Sequence, residues 1–149
     1  MTDSANVESQ LAIAIMTKFN ALVAGEQNAF WLAVNGQLLD GDTTGATYPY
    51  TAFWFVTSND NPVFAGEYTD HLIQFDFFSS VSAKEARDIR FHAKQLFHEQ
   101  PLTMTGSTVI SITGRNVSGG SIPEEIPTPD AGNKVRHAIM ELEVTTKLS

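Results

Sequence analysis

The sequence predicts an α+β fold: a mostly antiparallel sheet with two helices packed on one face and a long loop in the C-terminal hairpin. Three observations predict it. Apolar residues recur at helical spacing in two separate segments, 7–24 and 82–98. Aromatic and β-branched runs with strand character lie between and after them. The resulting order is helix, strands, helix, strands, with no internal repeat and no linker long enough to divide the chain. All 149 residues therefore read as a single domain, 1–149.

The first helix is marked by Val7, Leu11, Ile15, Phe19 and Leu22, with Ala12, Met16 and Val23 widening the apolar stripe. Gly25 is a natural stop. In residues 28–47, FWLAV followed by Asn35-Gly36 could open a hairpin, while GQLLDGDTTGAT reads as loop. After Pro49, TAFWFVTSN reads as a strand, and Asp60-Asn61-Pro62 as a turn. A second strand is expected from Glu67 to Ser79, where Ile73, Phe75 and Phe77 alternate with Gln74 and Asp76. Leu72 and Phe78 interrupt that alternation, so the other face is expected to be partly covered.

Ser82-Ala83-Lys84-Glu85 is a capping box: the serine hydroxyl accepts from the Glu85 N–H while Glu85 reaches back to the N–H of Ser82. The helix should run to about His98 and end before Pro101, with Ala86, Ile89, Ala93, Leu96 and Phe97 facing the core. TVISITG and VRHAIMELEVTTK are the last two strands. In the latter, Val135, His137 and Ile139 lie on one face, and Ala138, Met140, Leu142 and Val144 on the other. Between these strands lies GRNVSGGSIPEEIPTPDAGNK, residues 114–134, an extended hairpin loop. Connections this long are uncommon and are usually functional or disordered. Its spaced prolines favour extended backbone without ladder hydrogen bonds.

Charge and composition exclude several functions. The net charge is −8, and it resides in the first half: residues 1–80 hold nine acids and one base, residues 81–149 eight of each. An acidic chain repels nucleic acid, so a sequence-specific binder is not expected. With no cysteine there are no disulfides, thiolate metal sites or cysteine nucleophiles. No apolar run approaches bilayer length, and the acidic, polar start MTDSANVESQ does not read as a secretory signal.

No catalytic, cofactor or metal constellation is legible. His71, His92, His98 and His137 stand alone in their segments, without HExxH, GxSxG or a P-loop. Glu85, Asp88 and His92 share a helix face but lack further ligands. Asn116-Val117-Ser118 fits a glycosylation acceptor but has no secretory context.

Two surfaces carry the functional expectation instead. On the second helix Lys84, Arg87, Arg90 and Lys94 form a basic side. Phe91 projects almost opposite the core stripe, and an aromatic pointing away from the core marks contact surface. These five residues are the candidate subunit interface, expected to pack on an acidic neighbour such as another copy. In the long loop, Ile122 and Ile126 flank Pro123-Glu124-Glu125 and could anchor it on an apolar partner. Arg115, Ile122, Glu124, Glu125, Ile126, Asp130 and Lys134 are its candidate contacts.

This layout resembles the tail terminator and tail completion (head–tail joining) proteins of long-tailed bacteriophages. The resemblance is carried by the first amphipathic helix, the YPYTAFWFV strand, the aromatic strand ending DHLIQFDFFSS and the helix opening SAKEARDI. It covers roughly residues 7–100 and the final hairpin, and its motifs are structural. It implies a virion protein, assembled in the host cytoplasm, that forms a ring, usually of six copies. Such a ring caps the tail tube and joins it to the head connector, without catalytic residues or cofactor. It further implies a heterologous, closing contact between subunits and a long hairpin loop toward the tube. Two other readings stay open: a neck adaptor of similar architecture, and a cone-shaped enzyme or ligand-binding domain. In the latter, Trp31, Trp54, Phe75 and Asp70-His71 would line a pocket.

Overall fold

The computed structural model describes residues 4–23, 37–41, 49–61, 68–80, 82–117, 125–127 and 134–148. Helix α1 (Ser4–Val23) leads to strand β1 (Gln37–Asp40), β2 (Tyr50–Asn61) and β3 (Tyr68–Ser79). Helix α2 (Ala83–Phe97) follows, then β4 (Ser107–Val117), β5 (Glu125–Pro127) and β6 (Lys134–Leu148). The sheet order is β1-β2-β3-β6-β4, with β5 also on β6. Every pairing is antiparallel except β1 with β2. The α+β expectation is met, including the two helices on one face.

Their shared core explains that arrangement. Val7, Leu11, Ile15 and Phe19 of α1 and Ala86, Ile89, Ala93, Leu96 and Phe97 of α2 are all buried, as their spacing predicts. Most join one cluster with Phe53 of β2, Ile73, Phe75 and Phe77 of β3, Ile112 of β4, and Ala138, Met140, Leu142 and Val144 of β6. Phe75 is the hub, its ring 5.4 Å from Phe53, 6.4 Å from Phe77 and 5.5 Å from Phe97. Residues of opposite parity on these strands face away from both helices.

Two bulges interrupt the alternation. The β2–β3 register shifts between Phe55 and Thr57, and the β4–β6 register between Val109 and Ser111. Each inserts one residue, Val56 and Ile110, and both side chains are exposed. Beyond the first bulge the facing residues of β2 change parity, which brings Ser58 opposite His71 on the helix-covered face.

The α2 boundaries follow from caps. The Ser82 hydroxyl accepts from the Glu85 N–H at 3.0 Å, as expected. The return bond differs. The Glu85 carboxylate accepts from the buried Ser79 hydroxyl at 2.7 Å, and Ser79 Oγ accepts the Ser82 N–H at 3.3 Å. The last residue of β3 is thus inserted into the capping box, tying strand end to helix start. At the other end His98 caps the helix, and Glu99 turns the chain with φ 54°. Its N–H donates to the Ile112 carbonyl at 3.0 Å, while His98 Nδ1 accepts the Gly114 N–H at 3.0 Å. The α2–β4 connection therefore shields part of the outer edge of β4. Lys18 of α1 secures this connection by donating to the Pro101 carbonyl at 2.8 Å.

Two expectations are corrected. Gln37–Asp40, read as loop, is a strand, and it runs parallel to β2. The 114–134 segment is not wholly loop. The β4–β6 ladder continues through Gly114, Arg115, Asn116 and Val117, and β6 begins at Lys134. Within the segment, Glu125, Ile126 and Pro127 pair with Arg136, Val135 and Lys134. Because Arg136 also pairs with Ser79, β5 lies on the β4 side of β6, continuing that edge. The FWLAV hairpin and Gly25 fall outside the described residues.

Candidate assembly interface

The helix period dictates what α2 shows to its surroundings. With Ala86, Ile89, Ala93, Leu96 and Phe97 inward, Lys84, Arg87, Phe91 and Gln95 lie on the opposite arc. All four are exposed, and Phe91 retains 56% of its surface. Its ring meets His92 edge-on at 5.6 Å. Lys84 pairs with Asp88 at 2.7 Å, one turn along the same helix. Lys94 is half-buried at the margin. Arg90 departs from the expected basic side. It lies at the flank of the core stripe, and its Nη1 donates to the Ile139 carbonyl at 3.3 Å. It therefore fastens α2 to β6, its long stem folded back over the sheet.

The loop candidates divide. Ile122, Glu124 and Asp130 lie outside the described residues. Glu125, Ile126 and Lys134 belong to the short β5–β6 ladder through their backbones. Arg115 is on β4, exposed, and reaches across to β6. Its guanidinium contacts Glu141 and Glu143, each at 2.8 Å. The hydrogen bond to Glu141 and the charge of Glu143 hold its pKa above the ordinary arginine value.

The sheet face opposite the helices is a second surface, the one that Leu72 and Phe78 led the sequence to present as partly covered. Its rows follow from the registers. Asn59, Asp70, Thr145 and Ser111 form one row across β2, β3, β6 and β4. Thr57, Leu72, Glu143 and Thr113 form the next, followed by Trp54, Gln74, Glu141 and Arg115. Ala52, Asp76, Ile139 and Val117 come after them, and Tyr50, Phe78 and His137 close the grid. This face is acidic: Asp70, Asp76, Glu141 and Glu143 against Arg115 and Lys147. It is also aromatic at one end. Phe78 stacks on His137 at 4.7 Å and lies 4.9 Å from Tyr50, while Trp54 is 38% exposed. Beside that stack, Asp76 is only 5% exposed and is satisfied by His137 Nε2 at 2.7 Å and Gln74 Nε2 at 3.1 Å. The signal for this face was present in the strand where Leu72 and Phe78 break the alternation.

The pocket reading finds no convergence among the described residues. Asp70 and His71 are adjacent on a strand, so they point to opposite faces. Asp70 accepts from the Thr145 hydroxyl at 2.8 Å on the helix-free side. His71, 2% exposed, lies on the helix side between Ser58 Oγ at 2.8 Å and Thr146 Oγ1 at 3.1 Å. Burial lowers its pKa, against the opposing pull of Glu8, Asp70 and Asp60. Phe75 is core, Trp54 is on the opposite face, and Trp31 lies outside the described residues. Glu85 accepts from Ser79, and no group of three or more His, Asp or Glu side chains fit for a metal occurs among the described residues. A shallow groove of about 470 Å³ between Pro101 and β4 holds one titratable side chain, Glu99.

Comparison with known proteins adds the fold's relatives. No family model matches the chain, and no curated protein matches it by sequence. Among solved structures, a chain from the virion of a native gene transfer agent particle superposes with a TM-score of 0.65 at 12% identity. The match covers 97% of this chain and 98% of that one. The gp17 protein of bacteriophage SPP1 superposes with a TM-score of 0.52 at 16% identity, over 96% of this chain and 91% of gp17. At these identities the likeness is one of fold. At that level the resemblance expected from the sequence is borne out.

Proposed function

We propose that this chain is a structural virion protein of a tailed phage or phage-like particle, acting at the junction of tail and head. One observation carries the reading: nearly the whole chain shares its fold with nearly the whole length of a gene transfer agent virion chain and of a phage protein. The residues are consistent with it. Their distinctive chemistry lies on surfaces, in the outward Phe91 and the acidic sheet face, and not in a convergent pocket.

In this reading the copies form a closed ring that caps the tail tube and meets the head connector. A ring requires a heterologous contact whose rotation closes, so each copy needs two different complementary patches. The Phe91 face of α2, with Lys84, Arg87 and Lys94, is one of them. Arg90 serves the fold rather than the contact. The segment from Ile122 to Asp130 is the proposed contact with the tube or connector, tethered at its middle by Glu125, Ile126 and Pro127.

The test is Phe91→Ser combined with Arg87→Glu. Both side chains are exposed, so the variant should stay folded. Loss of a buried aromatic anchor at an interface costs about 2 kcal/mol or more, enough to dissolve a moderately stable ring. Light scattering should report a fall in oligomer mass, with circular dichroism unchanged. An unchanged mass would remove Phe91 and Arg87 from the interface.

A further inference from the structure

A closing ring contact needs a second patch, complementary to the Phe91 face of α2. A two-layer α+β fold buries one sheet face under helices and leaves the other to water or to a partner. Among the described residues no helix covers that other face here. It nevertheless carries Leu72, Trp54 and Val117 among its polar side chains, unlike the clean polar alternation of a water-facing sheet. Asp70, Glu143 and Glu141 lie in three successive rows beside that apolar strip, opposed by Lys147 in the next row and by Arg115, which pairs with both glutamates.

We propose that this face receives the outer face of α2 from a second copy of the chain. The inference rests on the ring reading and identifies its second patch. Charge complementarity selects the occupant. The outer arc of α2 presents Lys84, Arg87 and Lys94 against the lone carboxylate Asp88, the opposite balance to the sheet face. Phe91, at the centre of that arc, meets the strip from Leu72 to Trp54. Arg87 and Lys94, on one side of it, come to the Glu141–Glu143 column. The two patches lie on opposite layers of one molecule, helix layer and sheet layer. The contact is therefore head-to-tail, and a copy cannot satisfy its own patches.

The chain contains no cysteine, so single cysteines can be introduced without background. Arg87→Cys and Thr113→Cys are both substitutions of exposed residues, the second beside Glu143 on the sheet face. The two variants are mixed, treated with a short bismaleimide and resolved by denaturing electrophoresis, with Arg87→Cys plus Ser9→Cys as the off-patch control. The expected result is a cross-linked dimer in the mixture, about tenfold above either variant alone and above the control pair. The charge test runs in parallel. Arg87→Glu alone and Glu143→Lys alone should each weaken association, and their equimolar mixture should restore it, because every contact in an alternating ring is then opposite in sign. A mixture that links no better than the control, or Arg87→Cys linking mainly to itself, overturns the proposal. If rings are imaged while these links are absent, the ring reading survives and this pairing falls. If the links form without rings, the pairing stands and the ring reading falls.

Discussion

His71 shows how one buried side chain turns into a measurable property of the protein. It is held between two hydroxyls, and burial lowers its pKa below the ordinary histidine value. In the unfolded chain it takes up a proton near pH 6.5. Below that pH the unfolded state binds more protons than the folded one, so folded stability decreases as pH falls through this window and is fully present above it. Urea midpoints measured between pH 8 and pH 5 should therefore fall toward acid, and more shallowly in His71→Gln. Ser82 is a second such residue. Ser82→Ala removes the acceptor for the Glu85 N–H and should cost about 1 kcal/mol in denaturant unfolding. The serine's role was legible from the spacing Ser82 to Glu85. The inserted Ser79 hydroxyl was not, because it comes from the preceding strand and is brought in by the tertiary turn. Asp70 and His71 likewise looked like a pair in the linear sequence, and strand geometry separates them.

The long amphipathic segments were readable because their period is enforced by a single buried face. Each buried stripe residue named for α2 is buried, and the β3 limits differ from expectation by one residue. The short elements were not readable. β1 has four residues and β5 three, too few for a period, and each is held by pairing with a distant strand rather than by its own composition. The bulges at Val56 and Ile110 were hidden for the same reason: the extra residue is defined by the partner strand's register. The turn after α2 yields a prediction on this scale. Glu99 adopts φ 54°, a left-handed conformation that costs a non-glycine residue about 1–2 kcal/mol. Glycine relieves that cost but gains freedom when unfolded, worth about 0.4–1 kcal/mol. Glu99→Gly should therefore raise stability by up to about 1.5 kcal/mol while keeping the N–H bond to Ile112. A lower urea midpoint in that variant would show that the Glu99 side chain contributes more than its backbone strain costs.

For the molecule as a whole, folding and assembly should separate. Val7, Phe75 and Ile89 specify the helix-covered layer, and truncating Ile89 to alanine should cost about 2–5 kcal/mol and lower solubility. Phe91→Ser should change stability by about 0.5 kcal/mol or less, since its ring is largely exposed, yet should reduce association. The Phe91 surface was visible in the sequence because one aromatic broke a helical pattern. The sheet face was only half visible, since it is assembled from four strands whose order is not written in any one of them. Within 114–134, which stood out by its length, prolines and isoleucines, Glu125, Ile126 and Pro127 pair with β6. The proposed function requires copies of this chain to close into a ring on a tail tube. Electron microscopy of the purified protein, alone and mixed with tail tubes lacking their terminal ring, tests it most directly. Rings seated at one end of each tube are the expected result, lost with Phe91→Ser combined with Arg87→Glu. Bare tubes beside a well-folded protein that stays monomeric at every concentration would contradict it.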